Sequence, residues 1–540
     1  MPSQAGWTQY VGLAQNALVD VARFRLGAAV VVLGTLLTGC VTGNEHYDLI
    51  IRGGLVYDGT TAAATIANIG INDSLIETLN AGSADTATRI IDAHGLIVTP
   101  GFIDPHTHAL ATLLEPATRA SPNYLFQGVT TVFVGNDGYG LPERDARLAT
   151  LEAHGIGPNL AFLSGHGHVR RQVMGQADRP ASKRELDAMR ELVANDMQAG
   201  AFGFSTGLFY APGSYANVDE VIALARVAAD AGGIYDTHLR SESSAGDGLL
   251  AAIDEALLIG REANIPVHVS HVKALGSDVW GQSKGIVQRI NAARKAGLNV
   301  TANQYPWEAS GTRFSNAIIP RWVMADSRAK MRERLADPSL QQRLKNEMNN
   351  NLRLRGGADA MLVTHANSPY VGMTLAEIAV KLDLPAIDAA VQVVLQGDPS
   401  IASFVMQRED IDYLAAQPWV MTGSDGSSGH PRLYASYPKA WQDFVISRKL
   451  LSPAQFVHRS SGLVADTFGL CRRGYLRPGY VADITVLDSG RFIPNATYRD
   501  PTALSSGVVY LAIGGKLAID DSKVSAINGR IIRKTDCAER

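Results

Sequence analysis

The chain has 540 residues, of which 46% are hydrophobic and 19% are charged, and its formal net charge is −3. This composition is typical of globular proteins, and the length allows a large core together with a second module. A nearly neutral charge gives no indication of a nucleic-acid partner. The three cysteines, Cys40, Cys471 and Cys537, predict neither a disulfide framework nor a zinc site of the ribbon type.

The N-terminal segment resembles a bacterial lipoprotein signal. Two arginines precede the apolar run 26–37, and Leu-Thr-Gly leads directly into Cys40. The apolar run is too short for a comfortable transmembrane helix. We therefore expect residues 1–40 to contain a signal peptide that ends at a lipidated Cys40. The protein would then be anchored outside the cytoplasm through this lipid alone, and Val41 favours the periplasmic side of the outer membrane by analogy with bacterial sorting. The alternative is a cytosolic protein with a buried N-terminal helix.

Apolar runs punctuated by glycines occupy both ends of the remaining chain. One run, DLIIRGGLVYDG, starts at Asp48, and a matching run spans residues 474–488. Such runs are typical of short antiparallel strands. We expect residues 46–98 and 472–540 to form one small β-sandwich domain that is built from both chain ends.

Between these ends, in residues 99–471, short β-branched runs alternate with helical stretches such as 218–231 and 249–263. The runs are mostly spaced by about 30 residues, as in the βα units of a parallel barrel. Eight candidate strands end near His108, Asp137, Gly165, Gly207, His238, His271, Tyr305 and Asp425. The pattern predicts an α/β fold, a (β/α)8 TIM-like barrel. A doubly wound open sheet is the alternative, but no glycine-rich nucleotide fingerprint follows a strand.

One gap between the expected strands is much longer than the others. It separates Tyr305 from Asp425 and contains the charged, helix-prone stretch 326–354. We expect an insertion at about residues 311–360 that covers the mouth of the barrel.

The sharpest local signal is the segment GFIDPHTH, which ends at His108. Residues two apart in a strand point to the same side, so Asp104, His106 and His108 are expected on one face. Two imidazoles at the C-terminal end of a barrel strand can bind one divalent ion. The pair His-x-His alone occurs often by chance, so further ligands at other strand ends are needed.

Three further residues are expected at the same mouth. His238 and His271 each follow a run that predicts a strand, whereas His268 should point to the opposite face, and we interpret it as a packing residue. Asp425 ends the last expected strand, in WVMTGSDG. A carboxylate there can both bind a metal and accept a proton from an attacking water, although an Asp-Gly turn is the ordinary alternative.

Together these segments resemble the D-aminoacylase, or N-acyl-D-amino-acid deacylase, family of the amidohydrolase superfamily. The resemblance extends from Asp48 to Asp488 and rests on VTPGFIDPHTH, GVTTVFVGNDG, LSGHGHVR, FSTGLFY, YDTHLRSE, SHVKALG and GSDG followed by HPR. It implies a catalytic-base role for Asp425. The metal ligands that it implies are His106, His108, His238, His271 and Asp425. The residues that it implies at the substrate are Lys273, Tyr305 and Arg432, which would hold a carboxylate, and Tyr210 near the pocket.

The chain departs from the family pattern at two places. Many superfamily members bridge two metals with a carbamylated lysine on strand four, and D-aminoacylases have instead a cysteine in the segment GNCG. Here residues 203–208 contain no lysine, and the GNCG segment is GNDG, with Asp137 in the cysteine position. A carboxylate can also bridge divalent ions, so we predict that Asp137 is a metal ligand. The alternative is that Asp137 only caps a loop and that one metal remains.

The predicted cofactor is one or two divalent ions, and zinc is expected first. Oxygen ligation by Asp137 makes manganese and cobalt alternatives. The second departure is a loop between Asp425 and Arg432 that is shorter than in classical D-aminoacylases, so side-chain preference is not carried over from them.

The predicted function is metal-dependent hydrolysis of small molecules, either N-acyl-D-amino acids or dipeptides with a C-terminal D-residue. One alternative is a cyclic-amide hydrolase of the dihydropyrimidinase type, against which the missing strand-four lysine and the HPR segment argue. Another is a non-catalytic binding lipoprotein on the same scaffold, against which the complete set of metal-type residues argues.

Overall fold

The computed structural model describes residues 45–537. The strands are β1 (His46–Val56), β2 (Thr65–Asn72), β3 (Leu75–Thr78), β4 (Thr86–Asp92), β5 (Ile97–Pro100), β6 (Phe102–Asp104), β7 (Val129–Val134), β8 (Asn159–Phe162), β9 (Ser164–Gly165), β10 (Gly203–Gly207), β11 (Ile234–His238), β12 (Val267–Val269), β13 (Val300–Gln304), β14 (Ala309–Arg313), β15 (Met361–Val363), β16 (Ser400–Phe404), β17 (Val420–Thr422), β18 (Ile484–Leu487), β19 (Val508–Ile513), β20 (Lys516–Asp520) and β21 (Lys523–Val524).

The α-helices are α1 (Leu110–Leu114), α2 (Pro122–Leu125), α3 (Arg144–His154), α4 (His166–Met174), α5 (Lys183–Gln198), α6 (Val218–Asp230), α7 (Leu249–Ala263), α8 (Ser283–Lys295), α9 (Phe314–Ile318), α10 (Arg328–Ala336), α11 (Gln341–Leu354), α12 (Leu375–Leu382), α13 (Ala386–Gln396), α14 (Arg408–Ala415), α15 (Arg432–Ala440), α16 (Pro453–Ser460) and α17 (Gly462–Phe468). Within residues 45–537, no helix has the length and apolar character that crossing a membrane requires.

Parallel strands form a closed ring at the centre of the chain. Hydrogen-bonded neighbours run β6–β7–β8 and then β9–β10–β11–β12–β13–β17, with only Leu163 between β8 and β9. The ring closes where Thr107 pairs with Gly426 in parallel, and the amide of Asp425 donates to the carbonyl of His106 at 3.0 Å. Counting β8 and β9 as one strand gives eight, which confirms the predicted (β/α)8 barrel.

Local sequence explains why these elements form. β10 and β11 are buried along their whole length, as expected of barrel strands covered by helices on the outside. The helix α6 begins where the Asn217 side chain accepts a hydrogen bond from the Glu220 amide, which satisfies one free N–H of its first turn. Helix α5 begins with a capping box between Ser182 and Glu185. The helical stretches predicted at 218–231 and 249–263 correspond to α6 and α7.

The two chain ends meet in one nine-stranded sheet. β5 pairs antiparallel with β18, so a strand from the N-terminal part and one from the C-terminal part lie side by side. The sheet is rolled, because the amide of Ala482, just before β18, donates to the carbonyl of Ser74 beside β3. Apolar side chains such as Ile69 and Val98 fill its interior. Only Gly101 separates β5 from β6, so this sheet leads directly into the first barrel strand.

The segment between β13 and β17 forms a subdomain with its own core. Its antiparallel sheet has the order β14–β16–β15, and helices α9 to α13 pack with it around residues such as Phe314 and Val393. It therefore extends from Ala309 to Phe404, beyond the 311–360 expected for the insertion. Only α10 and α11 carried a clear sequence signal, because the short strands at either side lack a distinctive pattern.

A disulfide bond joins Cys471 to Cys537, with their Cα atoms 5.6 Å apart. It connects the chain before β18 with the C-terminal segment after β21. The expectation that the cysteines form no disulfide was therefore wrong. Two cysteines 66 positions apart carry no spacing signal, and only the fold brings them together.

Candidate metal centre

Loops at the C-terminal ends of the barrel strands carry the polar side chains of the site. The predicted metal ligands among them are His106 and His108 after β6, Asp137 after β7, His238 at the end of β11, His271 after β12 and Asp425 after β17. Five of these six residues lie beyond the last residue of their strand, so strand alternation alone does not orient them. The ends of parallel barrel strands converge, and this convergence gathers the side chains at one mouth.

Asp137 lies at the middle of the cluster. Its Oδ1 atom is 3.5 Å from His106 Nε2, 3.6 Å from His238 Nδ1 and 3.4 Å from His271 Nε2. Its Oδ2 atom is 3.6 Å from His108 Nε2. The residue in the cysteine position thus faces all four predicted histidines.

Asp425 faces two of these histidines, His106 and His108, from β17, the neighbour of β6 on the side away from β7. Its Oδ1 atom is 3.2 Å from His108 Nε2 and 3.7 Å from His106 Nε2, whereas its Oδ2 atom is 2.7 Å from Arg432 Nη1. Burial alone would raise the pKa of Asp425, but Arg432 and His271 outweigh it and hold the pKa well below its usual range. The carboxylate is therefore ionised at neutral pH.

Buried polar atoms without hydrogen-bond partners test whether these residues suit a metal ion. Both ring nitrogens of His106, Oδ1 of Asp137 and Nε2 of His238 are buried and have no such partner. Buried groups of this kind cost free energy unless something binds them. Donor atoms of His106, Asp137, His271 and Asp425 all lie within 4.8 Å of one another. The residues present therefore fit a divalent cation.

The protonation states of His106 and His271 also suit a metal ion. Burial lowers the pKa of His106 to about 4, so its imidazole is neutral and has a free lone pair, as a metal ligand requires. Burial and Lys273 oppose protonation of His271, yet Asp425 and Glu242 outweigh them and raise its pKa to about 9. A positive charge is thus favoured beside the two aspartates, and a metal ion would replace the proton. His268, interpreted above as a packing residue, contacts Thr301 and Asn303 instead.

Three of the site residues have a left-handed backbone. The φ angles are 56° at Asp137, 34° at His271 and 47° at Asp425. Few residues other than glycine adopt this conformation, and it persists where the surroundings enforce it. At His271, for example, the backbone amide donates to the Asn303 side chain at 2.8 Å. Each of these turns redirects the chain immediately after a strand, so the side chain points into the mouth.

Glu242 also belongs to the site, and the sequence analysis gave it no role. Its Oε1 atom is 3.1 Å from His271 Nδ1 and accepts a hydrogen bond from Lys273 Nζ at 2.5 Å. With His238 and His271 it forms a second group of donors that could hold a cation. Glu242 lies four residues after His238 in YDTHLRSE. An acidic residue so close to a predicted metal ligand was the sequence signal that could have identified it.

The four predicted substrate residues all lie beside the cluster. The ring of Tyr210 is 4.7 Å from that of His238, and Tyr305 lies under Arg432 and Lys273, whose charged groups are 5.0 Å and 5.7 Å from its ring centre. The buried Tyr305 hydroxyl and Arg432 Nε have no hydrogen-bond partner in the protein. Both cations are already paired with acids, Arg432 with Asp425 and Lys273 with Glu242.

Asp137→Ala should lower the bound metal and nearly abolish activity while the barrel stays folded, because the carboxylate of Asp137 lies within 3.6 Å of all four predicted histidine ligands. Asp137→Cys should restore metal binding and favour zinc, since thiolate is the softer ligand. Metal analysis of the identically loaded proteins, with thermal unfolding as the control for folding, measures both effects. Full metal stoichiometry in the alanine variant would refute ligation by Asp137.

Comparison with known proteins adds an independent line of evidence. A family model described as "Amidohydrolase family" matches residues 89–283. An N-acyl-D-glutamate deacylase of Alcaligenes xylosoxydans xylosoxydans is 32% identical over 517 residues, which cover 91% of this chain and 97% of the relative.

Solved structures agree with these matches. The crystal structure of N-acyl-D-glutamate deacylase from Bordetella bronchiseptica, complexed with zinc and a phosphonate inhibitor, has a TM-score of 0.78 and 29% identity, covering 91% of this chain and all of that one. A structure of D-aminoacylase, whose binuclear metal centre shows one-metal activation and second-metal attenuation, also has a TM-score of 0.78 and 29% identity, with 90% and 100% coverage. The chain therefore belongs to the D-aminoacylase family of the amidohydrolase superfamily.

Proposed function

We propose that this protein hydrolyses the amide bond of N-acyl-D-amino acids, or of dipeptides with a C-terminal D-residue, with the help of a divalent ion. The observation that carries the proposal is the carboxylate of Asp425, which has one oxygen against Arg432 and the other facing His106 and His108. Membership of the D-aminoacylase family supports the substrate class. The missing strand-four lysine argues against the cyclic-amide alternative.

Asp425 is the group that transfers a proton from the attacking water to the leaving nitrogen. The histidines and Asp137 would hold a divalent ion, which would supply Lewis-acid polarisation of the amide carbonyl and would lower the pKa of the attacking water towards ~7. Arg432 fixes one oxygen of Asp425, so the other oxygen remains directed at the reacting centre. Asp425 accepts a proton from the water that attacks the amide carbon. It then delivers this proton to the leaving nitrogen as the carbon–nitrogen bond breaks, which yields a free carboxylic acid and an amine.

The substrate carboxylate fits between Lys273, Tyr305 and Arg432. The Tyr305 hydroxyl and Arg432 Nε are buried donors that lack a partner in the protein, and an anion would satisfy them. Because Arg432 and Lys273 are each paired with an acid, they attract the substrate carboxylate less strongly than free cations would. Tyr305 therefore contributes more to binding this carboxylate than the sequence indicated.

The charges near the centre favour a single ion, and we infer that this ion is zinc. Asp137, Asp425 and Glu242 contribute three negative charges, and Arg432 and Lys273 contribute two positive ones, so one divalent ion leaves an excess of one positive charge. This excess matches a substrate with one carboxylate. Imidazole and carboxylate ligands suit zinc, and they also accept manganese or cobalt.

A comparison of N-acetyl-D- and N-acetyl-L-amino acids tests the function directly. We expect the D-forms to react with a kcat/KM about a hundredfold higher, because the wrong enantiomer displaces the scissile bond from the site. Chelation should abolish the activity, and added zinc should restore it. Equal rates for both enantiomers would contradict the proposal, preferred turnover of hydantoins would support the cyclic-amide alternative, and a pure protein that binds no metal would support the non-catalytic one.

Asp425→Asn should reduce kcat by a factor of ~10²–10⁴, the usual contribution of a general acid–base catalyst, while most of the metal stays bound. Asp187→Asn, an exposed aspartate on α5, is the matched control and should retain wild-type turnover. Kinetics on metal-quantified protein gives the result. Unchanged turnover in metal-loaded Asp425→Asn would remove this residue from the mechanism.

We further propose that the protein is lipid-anchored at Cys40 outside the cytoplasm, on the periplasmic side of the outer membrane. Cys40 lies outside the described residues, so the support comes from the sequence Leu-Thr-Gly-Cys after the apolar run. The Cys471–Cys537 disulfide adds support, since such bonds persist mainly in oxidising compartments.

In a Gram-negative host, the wild-type protein should therefore incorporate labelled palmitate and sediment with membranes. Cys40→Ser should lose the label, whereas Cys471→Ser, the matched control, should retain it. Wild-type protein that is unlabelled and wholly cytosolic would rule out the anchor.

A further inference from the structure

Two of the predicted histidine ligands have one ring nitrogen towards Asp137 and the other towards Glu242. His271 Nε2 lies 3.4 Å and His238 Nδ1 lies 3.6 Å from Asp137 Oδ1. On the outer side, away from Asp137, His271 Nδ1 lies 3.1 Å from Glu242 Oε1, and His238 Nε2 lies 3.7 Å from Glu242 Oε2. All four side chains are buried. One carboxylate therefore faces the outer nitrogens of both rings, with one oxygen for each.

The outer nitrogens matter because a neutral imidazole binds an ion only through the nitrogen that carries no hydrogen. For His271 and His238 to bind an ion beside Asp137, the hydrogen of each ring must lie on the outer nitrogen. A buried N–H without an acceptor is costly. A carboxylate that accepts from the outer nitrogen of a histidine ligand fixes both the tautomer and the orientation of the ring. Glu242 has the position that this role requires.

Lys273 acts on the same outer nitrogen of His271. Its Nζ atom lies 2.8 Å from His271 Nδ1, and it also donates to Glu242 Oε1 at 2.5 Å and to the His271 carbonyl at 2.9 Å. An ammonium has donors only, so a hydrogen bond from Lys273 to Nδ1 places the ring hydrogen on Nε2. That tautomer has no lone pair for an ion beside Asp137. The tautomer in which Nδ1 donates to Glu242 has one.

Contacts between two loops hold Glu242 at this place. The Leu275 amide donates to the Glu242 carbonyl at 2.8 Å, which joins the loop after β11 to the loop after β12. Among residues 45–537, Glu242 is the one acid whose carboxylate lies within 4.0 Å of the outer nitrogens of His238 and His271. No other carboxylate of these residues is therefore near enough to replace it.

We propose that Glu242 is a positioning residue that keeps His271 and His238 in the tautomers that bind the ion. The inference rests on the proposed function, and it gives Glu242 no contact with the ion or with the substrate. Glu242 and Lys273 favour opposite tautomers of His271. Removing both side chains should therefore weaken metal binding less than removing Glu242 alone.

Zinc titration of the metal-free protein against a chromophoric chelator tests this without any measurement of hydrolysis. Glu242→Gln should raise the Kd for zinc by about ten- to a hundredfold, the usual effect of losing the outer partner of a histidine ligand. The number of ions bound at saturation should equal that of the wild type. Glu242→Asp keeps a carboxylate and the charge beside Lys273, so it should weaken zinc binding less than Glu242→Gln does.

A double-mutant cycle separates the tautomer from simple charge repulsion. Lys273→Met removes a positive charge near the ion and should tighten zinc binding in any background. If Lys273 also holds the wrong tautomer when Glu242 is absent, the gain should be larger in Glu242→Gln than in the wild type. Equal gains in the two backgrounds would overturn the inference, because repulsion alone would then explain them.

Glu255→Gln is the matched control. Glu255 is half-buried on α7, the helix that follows the loop of Glu242, and it pairs with Arg240 at 2.8 Å. This variant should keep the wild-type Kd for zinc. The Tm of each metal-free variant shows whether it is folded, and a change of Kd in a variant with wild-type Tm is not a loss of folding.

Two further results would overturn the inference. One ion fewer per chain at saturation in Glu242→Gln, with unchanged affinity for the remaining ion, would show that Glu242 is itself a metal ligand. Unchanged zinc affinity and stoichiometry in a folded Glu242→Gln would leave Glu242 only its pairing with Lys273. The titrations decide the matter whether or not an N-acyl-D-amino acid is hydrolysed, so failure of this inference is distinct from failure of the proposed function.

Discussion

Two carboxylates buried at one mouth of the barrel, Asp137 and Asp425, are the constraint on which the rest of the site depends. Burying ionised carboxylates is costly unless cations or hydrogen bonds compensate them. Arg432 compensates one oxygen of Asp425, whereas the remaining oxygens face imidazoles, of which that of His106 has no hydrogen-bond partner at either ring nitrogen. The histidines, the guanidinium and the turns that aim them all serve this charge balance, and a divalent cation completes it.

The closed barrel fixes the positions of these charged side chains relative to one another. Closure of the ring through Thr107 and Gly426 brings the first and last strands together, so Asp425 lies beside His106 although the two are far apart in sequence. The left-handed backbone at Asp137, His271 and Asp425 is unfavourable in isolation. Buried contacts such as the hydrogen bond that the His271 amide donates to the Asn303 side chain maintain it. The site therefore derives its geometry from the folded barrel and not from local preference.

The sequence allowed prediction of the barrel and of where the candidate ligands lie, because repeated βα units place every strand end at the same mouth. It predicted less well what depends on contacts between distant loops. Glu242 has no motif of its own, and its place beside His271 follows from the approach of two loops. The pairing of Arg432 with Asp425 and the Cys471–Cys537 bond are likewise properties of the fold. The inserted subdomain was underestimated because its short strands have no clear periodicity.

Charge pairing also distinguishes residues that shape the site from residues that are available to a ligand. By residue type alone, Lys273 and Arg432 are not distinguished from Arg321 and Arg355, since all four side chains carry a positive charge. In the structure, the first two neutralise Glu242 and Asp425, so their main effect is to fix those acids. The second two pair with no acid among residues 45–537, and both line a cavity between the barrel mouth and the inserted subdomain. An uncompensated charge in a partly buried cavity is costly, so these two guanidiniums, unlike the charged groups of Lys273 and Arg432, remain available to a ligand.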